Sequence, residues 1–173
     1  EKMSKSKGNG VNPSVLLENY GTDATRLCIL FKSPPEMPLQ WNDEDIIGHV
    51  RWLNRLRRWM SRDTPVKQAI LDVCLLKERF ENLVREYEWN INSSKHSFNV
   101  CIALMMRFSN EFGGFSPHSN EELKHCLLAF CSLLDPFAPE TASELHLKLG
   151  GSGNLSVEKF PAFLPKERRI QMK

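Results

Sequence analysis

The 173-residue sequence lacks any apolar run near the length that a membrane helix requires, which is about 20 residues. It also lacks a CxxC pair, so a redox pair or a disulfide framework is not indicated. None of the five histidines shows ligand spacing with a cysteine, so we predict no metal site. The absence of a long apolar run predicts no membrane partner. The cysteines lie in apolar, helix-like stretches, which predicts small, buried, reduced thiols and a reducing compartment: Cys28, Cys74, Cys101, Cys126 and Cys131.

Charge of one sign is also scarce, because the formal net charge is only +2. Overall charge therefore does not indicate nucleic-acid binding. The distribution is more informative. Residues 1–62 carry ten Lys and Arg against seven Asp and Glu, whereas residues 63–173 carry thirteen against fourteen. A polyanionic ligand would meet the first third of the chain.

The alternation typical of a half-buried strand is nearly absent, apart from a short stretch at residues 155–157. Apolar residues recur at helical spacing instead. With Asn12 and Asn42 as N-caps and Gly21 as a helix stop, they predict helices at about 13–20, 23–31, 43–62, 66–90, 95–112, 121–134 and 139–149. Short connectors favour antiparallel neighbours, so we predict an all-α, antiparallel helical bundle.

Three further expectations concern individual side chains. Ile70, Val73 and Cys74 should lie on the buried stripe of the fourth helix. The four tryptophans should act as packing anchors rather than base-stacking platforms: Trp41, Trp52, Trp59 and Trp89. Asp43, Glu44 and Asp45 should compensate the dipole of the third helix, since they occupy its first turn.

The segment from Ser33 to Pro38 holds three prolines in five positions and cannot be helical. We place a subdomain boundary near it. The chain then divides into residues 1–41, a loop with connecting helices; residues 42–150, a helical bundle; and residues 151–173, a tail that we expect to lead into a further C-terminal region.

The string KMSKSKGN at residues 2–9 has no apolar period and combines lysines, serines and a glycine. We interpret it as a solvated loop that offers positive charge and hydroxyl donors. Such a combination suits a polyanion with several phosphate groups.

A second basic pattern lies on the third predicted helix. Its arginines recur at spacings of four, three and four, which places them on one stripe away from the apolar face: Arg51, Arg55, Arg58 and Arg62. Four arginines about one turn apart could follow a phosphate backbone and add affinity without reading sequence. The alternative is a solvated helix face, partly paired with carboxylates of a neighbouring helix.

The loop string resembles the signature loop of class I aminoacyl-tRNA synthetases. The stretch from Gly8 to Trp41 resembles the segment that follows this loop in the leucyl-tRNA synthetases, with its YGTD, RL, LF, PPE and LQW elements. Further similar strings are RWLNRL at 51–56, SFN at 97–99 and LDPFAP at 134–139, so the resemblance covers about residues 2–149. The chain departs from the family pattern at Asn12, Cys28, Gln40 and His146.

The resemblance implies a parent enzyme, leucine–tRNA ligase, that uses ATP with Mg²⁺, leucine and tRNA(Leu). It implies that Lys2 and Lys5 are catalytic, and that the loop holds the ATP phosphates through Lys2, Met3, Ser4, Lys5 and Ser6. The bundle would be the anticodon-binding-type domain that binds tRNA through the four arginines.

In the family, ATP lies in a Rossmann-type domain that precedes the loop and carries an HIGH-type motif. These residues supply neither, so we expect the chain alone to be catalytically silent and to bind no cofactor tightly. The compartment would be a mitochondrial matrix or a bacterial-type cytoplasm. Two alternatives stay open: a non-catalytic helical interaction module with a basic face, and the same segment of an isoleucyl-, valyl- or methionyl-tRNA synthetase.

Overall fold

The computed structural model describes residues 10–33, 37, 41–66, 70–93, 96–152 and 155. This part of the chain is helical, with no strand, which confirms the predicted all-α class. Residues 156 and 157 of the predicted short strand lie outside it. The helices are α1 (Pro13–Tyr20), α2 (Thr22–Lys32), α3 (Asp43–Met60), α4 (Val73–Asn92), α5 (Phe98–Phe112), α6 (Glu121–Leu134) and α7 (Pro139–Lys148), with a 3₁₀ turn at Pro117–Ser119.

Polar caps and one glycine set several of these boundaries, as the sequence predicts. The Asn12 side chain accepts a hydrogen bond from the Ser14 N–H at 3.0 Å, directly before the proline that opens α1. Asn42 begins α3 in the same way, by accepting from the Glu44 N–H at 3.1 Å. Gly21 ends α1 with a φ of +83°, a conformation that other residues rarely adopt.

The segment between α3 and α4 differs from the prediction. Helix α3 ends at Met60, not near residue 62, and α4 begins at Val73, not near residue 66. The N–H of Val66 donates to the Gly114 carbonyl at 2.9 Å, which holds this residue beside the end of α5, and residues 70–72 are not helical. Asp72 then caps α4. Ile70 is 98% exposed, and its predicted place on a buried stripe is wrong.

The core is shared by helices from both sides of the proline-rich connector. Helix α4 pairs with α5, and α2 packs against α3 and α5. Ala24, Leu27 and Cys28 of α2 belong to the same buried cluster as the bundle. Ring contacts run through this cluster, with centroids 5.5 Å apart for Phe80 and Phe108. Burying each large apolar side chain stabilises the fold by about 1.5–3 kcal/mol, so α2 is held mainly by tertiary packing.

Two side-chain predictions fail at exposed positions of α4. Cys74 is exposed on its first turn, whereas the other four cysteines are buried as predicted. Burial raises the pKa of the Cys126 and Cys131 thiols to about 12, which leaves them protonated at neutral pH. Trp89 is 63% exposed and anchors no packing, although Trp52 and Trp59 are buried. In both cases the residue type suggested burial, but the neighbouring helices do not cover that side of α4.

Candidate nucleic-acid interface

The inner face of α3 anchors this helix in the bundle. Four apolar residues on this face are buried, namely Ile46, Leu53, Leu56 and Met60, and Val50 is half-buried. Two indole groups add directed contacts. Trp52 donates from Nε1 to the Ser109 Oγ at 3.0 Å, and Trp59 donates from Nε1 to the Phe115 carbonyl at 2.9 Å. These bonds fix the rotation of α3 about its axis, and so decide which side chains face outward.

The outward side of α3 carries Arg51, Arg55 and Arg58, which we call the arginine row. All three are exposed. Within the described residues, no carboxylate lies within ion-pair distance of any of them. Their positions span about 10 Å at 1.5 Å rise per residue. The row therefore presents three cationic groups along one line, none of them neutralised by a described neighbour.

Arg62, the fourth predicted member, has a different setting. It follows the end of α3, so it does not continue the helical stripe, and it is half-buried. Its Nη1 donates to the Gly113 carbonyl at 3.2 Å, at the C-terminal end of α5. A cation at that position is favourable because the last carbonyls of a helix carry partial negative charge. The placement predicted for Arg62 on the third helix is wrong, whereas its role in tRNA binding stays a prediction.

A shallow groove runs beside the arginine row, between α3 and the end of α5. Arg55, Arg58 and Arg62 form one wall, and Asn110 and Gly113 lie on the other. Asn110 is exposed and offers an amide that can donate and accept. Sequence reasoning missed it, because its position beside α3 depends on how the two helices pack. The groove combines several cationic donors with one neutral polar group, which suits a sugar–phosphate segment.

Arg57 is the one arginine of α3 that was not part of the predicted stripe. Its Nε donates to the Glu144 Oε2 at 2.8 Å, and its Nη2 donates to the Thr141 Oγ1 at 2.8 Å. Glu144 also accepts from the Lys148 Nζ at 2.7 Å. The hydrogen bonds from Lys148 and Arg57 hold the pKa of the Glu144 carboxyl below its ordinary value. Arg57 thus ties α3 to α7 and is not part of the exposed charge.

Other charged groups near the row are paired or uncharged. Asp45, from the acidic first turn of α3, makes an ion pair with Lys32 at 2.5 Å. His49 is buried beside Phe31, with ring centroids 5.2 Å apart. Burial lowers the pKa of His49 although Asp45 opposes this effect, so the ring is neutral at pH 7. Positive charge on this side of α3 therefore comes from the arginines.

The predicted ATP-contacting residues lie outside the described residues. This applies to Lys2, Met3, Ser4, Lys5 and Ser6 alike. In the part of the chain that the structure covers, no group of three or more His, Cys, Asp or Glu side chains could hold a metal ion. No helix there is long and apolar enough to cross a membrane.

Family models match both parts of the chain. The model described as "tRNA synthetases class I (I, L, M and V)" matches residues 1–42, and that of the "Anticodon-binding domain of tRNA ligase" matches residues 75–172. The leucine–tRNA ligase of Prochlorococcus marinus subsp. pastoris is 34% identical over 94% of this chain and 20% of its own length. That of a Synechococcus species is 36% identical over 95% of this chain and 20% of its own length.

A solved structure resembles the fold over nearly the whole chain. It is the LeuRS of Agrobacterium radiobacter K84 in a ternary complex with tRNA and LeuAMS, with a TM-score of 0.78 and 25% identity over 98% of this chain and 23% of that one. The chain spans about a fifth of the length of these relatives. On these matches, the chain belongs to the family of the anticodon-binding domain of tRNA ligases, and it is similar in sequence to leucine–tRNA ligases.

Proposed function

We propose that this chain is the part of a leucine–tRNA ligase in which a tRNA-binding helical bundle follows the ATP-side signature loop. Residues 1–41 would carry the loop and its connecting helices, residues 42–150 the bundle, and residues 151–173 the connection to a further region. The complete enzyme would join leucine to tRNA(Leu) at the expense of ATP, with Mg²⁺ accompanying the nucleotide as substrate. The bacterial relatives support a bacterial-type cytoplasm as its compartment, and a mitochondrial matrix is the alternative.

The observation that carries the tRNA assignment is the arginine row, on a bundle that resembles a ligase whose structure includes tRNA. Exposed arginines without carboxylate partners retain their full charge for a phosphate backbone. Contacts to phosphates position an RNA without reading its sequence. We infer that Arg51, Arg55, Arg58 and Arg62 contribute affinity, and that identity of the tRNA is recognised elsewhere.

The loop would contribute to leucine activation. In that reaction, the leucine carboxylate attacks the α-phosphate of ATP, and negative charge builds on the departing pyrophosphate. Lys2 and Lys5 would stabilise that charge, and Ser4 and Ser6 would donate hydrogen bonds to the phosphates, while Met3 would anchor the loop on an apolar surface. A well-placed donor of this kind, in a site that excludes water, lowers the barrier by about 3–4 kcal/mol.

The test is a tRNA(Leu) titration of the chain over a range of salt concentrations, with and without the double charge reversal Arg55→Glu/Arg58→Glu. Each phosphate contact adds about 0.9 to the slope of log K against log salt, so the slope should fall by about two. Two lost contacts of about 1 kcal/mol each should weaken binding roughly 30-fold at low salt.

The matched control is the charge reversal Arg85→Glu. Arg85 is exposed on α4, a helix that pairs mainly with α5 and also packs on α6. It should leave the slope and the affinity nearly unchanged. Equal affinity for the wild type and the Arg55/Arg58 variant would show that the row is structural. Absence of tRNA binding by the wild type at low salt would instead favour an interaction module for an acidic protein.

A further inference from the structure

Helix α7 begins without a cap of its own. Its N-cap residue is Ala138, which has no side chain that can accept a hydrogen bond. The first N–H groups of a helix need acceptors from outside the helix. Asp23 of α2 supplies them: its Oδ2 accepts from the Thr141 N–H at 2.6 Å and its Oδ1 from the Glu140 N–H at 3.4 Å. The cap therefore comes from a residue 118 positions away.

The Asp23 carboxylate is suited to this contact. It is only 5% exposed, and a buried charge requires partners to offset the loss of water. The N-terminal end of α7 also carries partial positive charge, which favours a carboxylate there. A second bond joins the same corner, since Arg26 of α2 donates from Nη2 to the Pro136 carbonyl at 2.9 Å.

Thr141 links this cap to the arginine-bearing helix. Its backbone N–H binds Asp23 of α2, and its Oγ1 accepts from Arg57 of α3. Arg57 lies between Arg55 and Arg58 in the chain, but its side chain bonds to α7, whereas theirs are exposed. We call Asp23, Arg57 and Thr141 the Thr141 junction. Helices α2 and α3, which are consecutive in the chain, meet the distant helix α7 there through directed bonds.

We propose that Asp23 and Thr141 are positioning residues, which fix the helices that follow the signature loop against the helix that carries the arginine row. The inference rests on the proposed function. Helices α1 and α2 have 8 and 11 residues, too short to be stable alone, so their orientation depends on what they contact. The hydrophobic effect is non-directional, whereas hydrogen bonds from two N–H groups to a buried carboxylate depend on distance and angle.

The experiment separates positioning from simple capping of α7. Asp23→Ala removes the remote cap, and Ala138→Ser adds a local one at the N-cap of α7. Spin labels on Val15→Cys of α1 and Glu81→Cys of α4, both at exposed positions, report the orientation of α1 relative to the bundle in a Cys74→Ser background. Hydrogen exchange reports the stability of α7.

In Asp23→Ala, we expect the label distance distribution to broaden at least twofold and exchange in the first turn of α7 to rise at least tenfold. In Asp23→Ala/Ala138→Ser, exchange in α7 should return to within about threefold of wild type, while the distance distribution stays broad. A narrow distribution in this double variant would overturn the proposal, because apolar packing alone would then hold α1 and α2.

Milder variants keep the test decisive if Asp23→Ala does not fold. Asp23→Asn retains the volume and one acceptor, and should broaden the distribution less. Thr141→Val removes the acceptor for Arg57 and leaves the backbone N–H for Asp23, so it should also broaden the distribution; no change in either variant counts against the proposal.

The matched control is Asp72→Ala, which removes a local cap from α4 by breaking the bond from the Leu75 N–H at 3.0 Å. It should raise exchange at the start of α4 without broadening the distances. These distances are measured without tRNA. A wild-type chain that binds no tRNA would therefore contradict the proposed function, whereas the label distances would still confirm or contradict the positioning role.

Discussion

Arg57 and Arg58 are consecutive residues of α3, yet they belong to two different regions of the molecule. Arg57 faces α7 and makes hydrogen bonds with Thr141 and Glu144. Arg58 faces outward, and within the described residues it bonds only to its own helix, through the Asn54 carbonyl at 3.3 Å. One guanidinium group is used in packing, and the other keeps its charge available for a ligand.

The same difference separates the two sides of the whole helix α3. Its inner side is fixed by buried apolar groups and two indole hydrogen bonds, whereas its outer side makes few contacts within the described residues. A count of basic residues cannot separate the two sides of α3, because the side chains of consecutive helical residues point in directions about 100° apart. Stability should therefore respond to changes on the inner side, and nucleic-acid binding to changes on the outer side.

The largest expected effect is that of Trp52→Ala on the inner side. Trp52 is 1% exposed, so its loss leaves a cavity and removes the hydrogen bond that its indole donates to the Ser109 Oγ. We expect the free energy of unfolding to fall by about 3–5 kcal/mol, measured by urea denaturation. Trp89→Ala, at an exposed position of α4, is the control and should change it by less than about 0.5 kcal/mol. Equal losses in both variants would contradict the assigned core.

An intermediate effect is expected when the two adjacent arginines are compared directly. Arg57→Ala removes a half-exposed ion pair and a hydrogen bond, and should lower the free energy of unfolding by about 1–2 kcal/mol. Arg58→Ala should change it by less than about 0.5 kcal/mol. In tRNA titrations the order should reverse, with the larger loss for Arg58→Ala. The comparison fails if both variants lose stability and affinity alike.

The smallest expected effect is the pH dependence of the Glu144 contacts. Hydrogen bonds from Lys148 and Arg57 hold the pKa of this carboxyl below its ordinary value of 4.5. The contacts therefore stabilise the fold above that pH, and the stabilisation is lost as the pH falls through the lower folded-state pKa. Because the groups are partly exposed, its size should stay below about 1 kcal/mol.

Glu144→Gln is the variant that measures this pH-dependent stabilisation. The difference in the free energy of unfolding between wild type and Glu144→Gln should be largest near neutral pH and should shrink below about pH 4. Glu86→Gln, at an exposed position of α4, is the control. Its free energy of unfolding should differ from that of the wild type by the same amount near neutral pH and below about pH 4. A Glu144→Gln difference that grows as the pH falls would contradict the assigned contacts.

Predictions from the sequence were most accurate where the signal is local. The caps at Asn12 and Asn42 and the stop at Gly21 were predicted correctly, because each depends on a few neighbouring residues. The predicted start of α4 was wrong: Val66 is held beside Gly114, about 50 residues away, and the helix begins only after the cap at Asp72. Cys74 and Trp89 failed for a related reason. Their residue types favour burial, but both side chains are exposed because no helix of the described residues covers them.

Local signals were enough for the helical class, most helix boundaries, the family resemblance and the arginine spacing, because these follow from periodicity, caps and contiguous motifs. Helix packing, in contrast, establishes which arginines remain exposed, how Arg62 reaches the end of α5, and how Asp23 caps α7. Such contacts join residues far apart in the chain. Their geometry depends on how whole helices pack, and no local pattern encodes it.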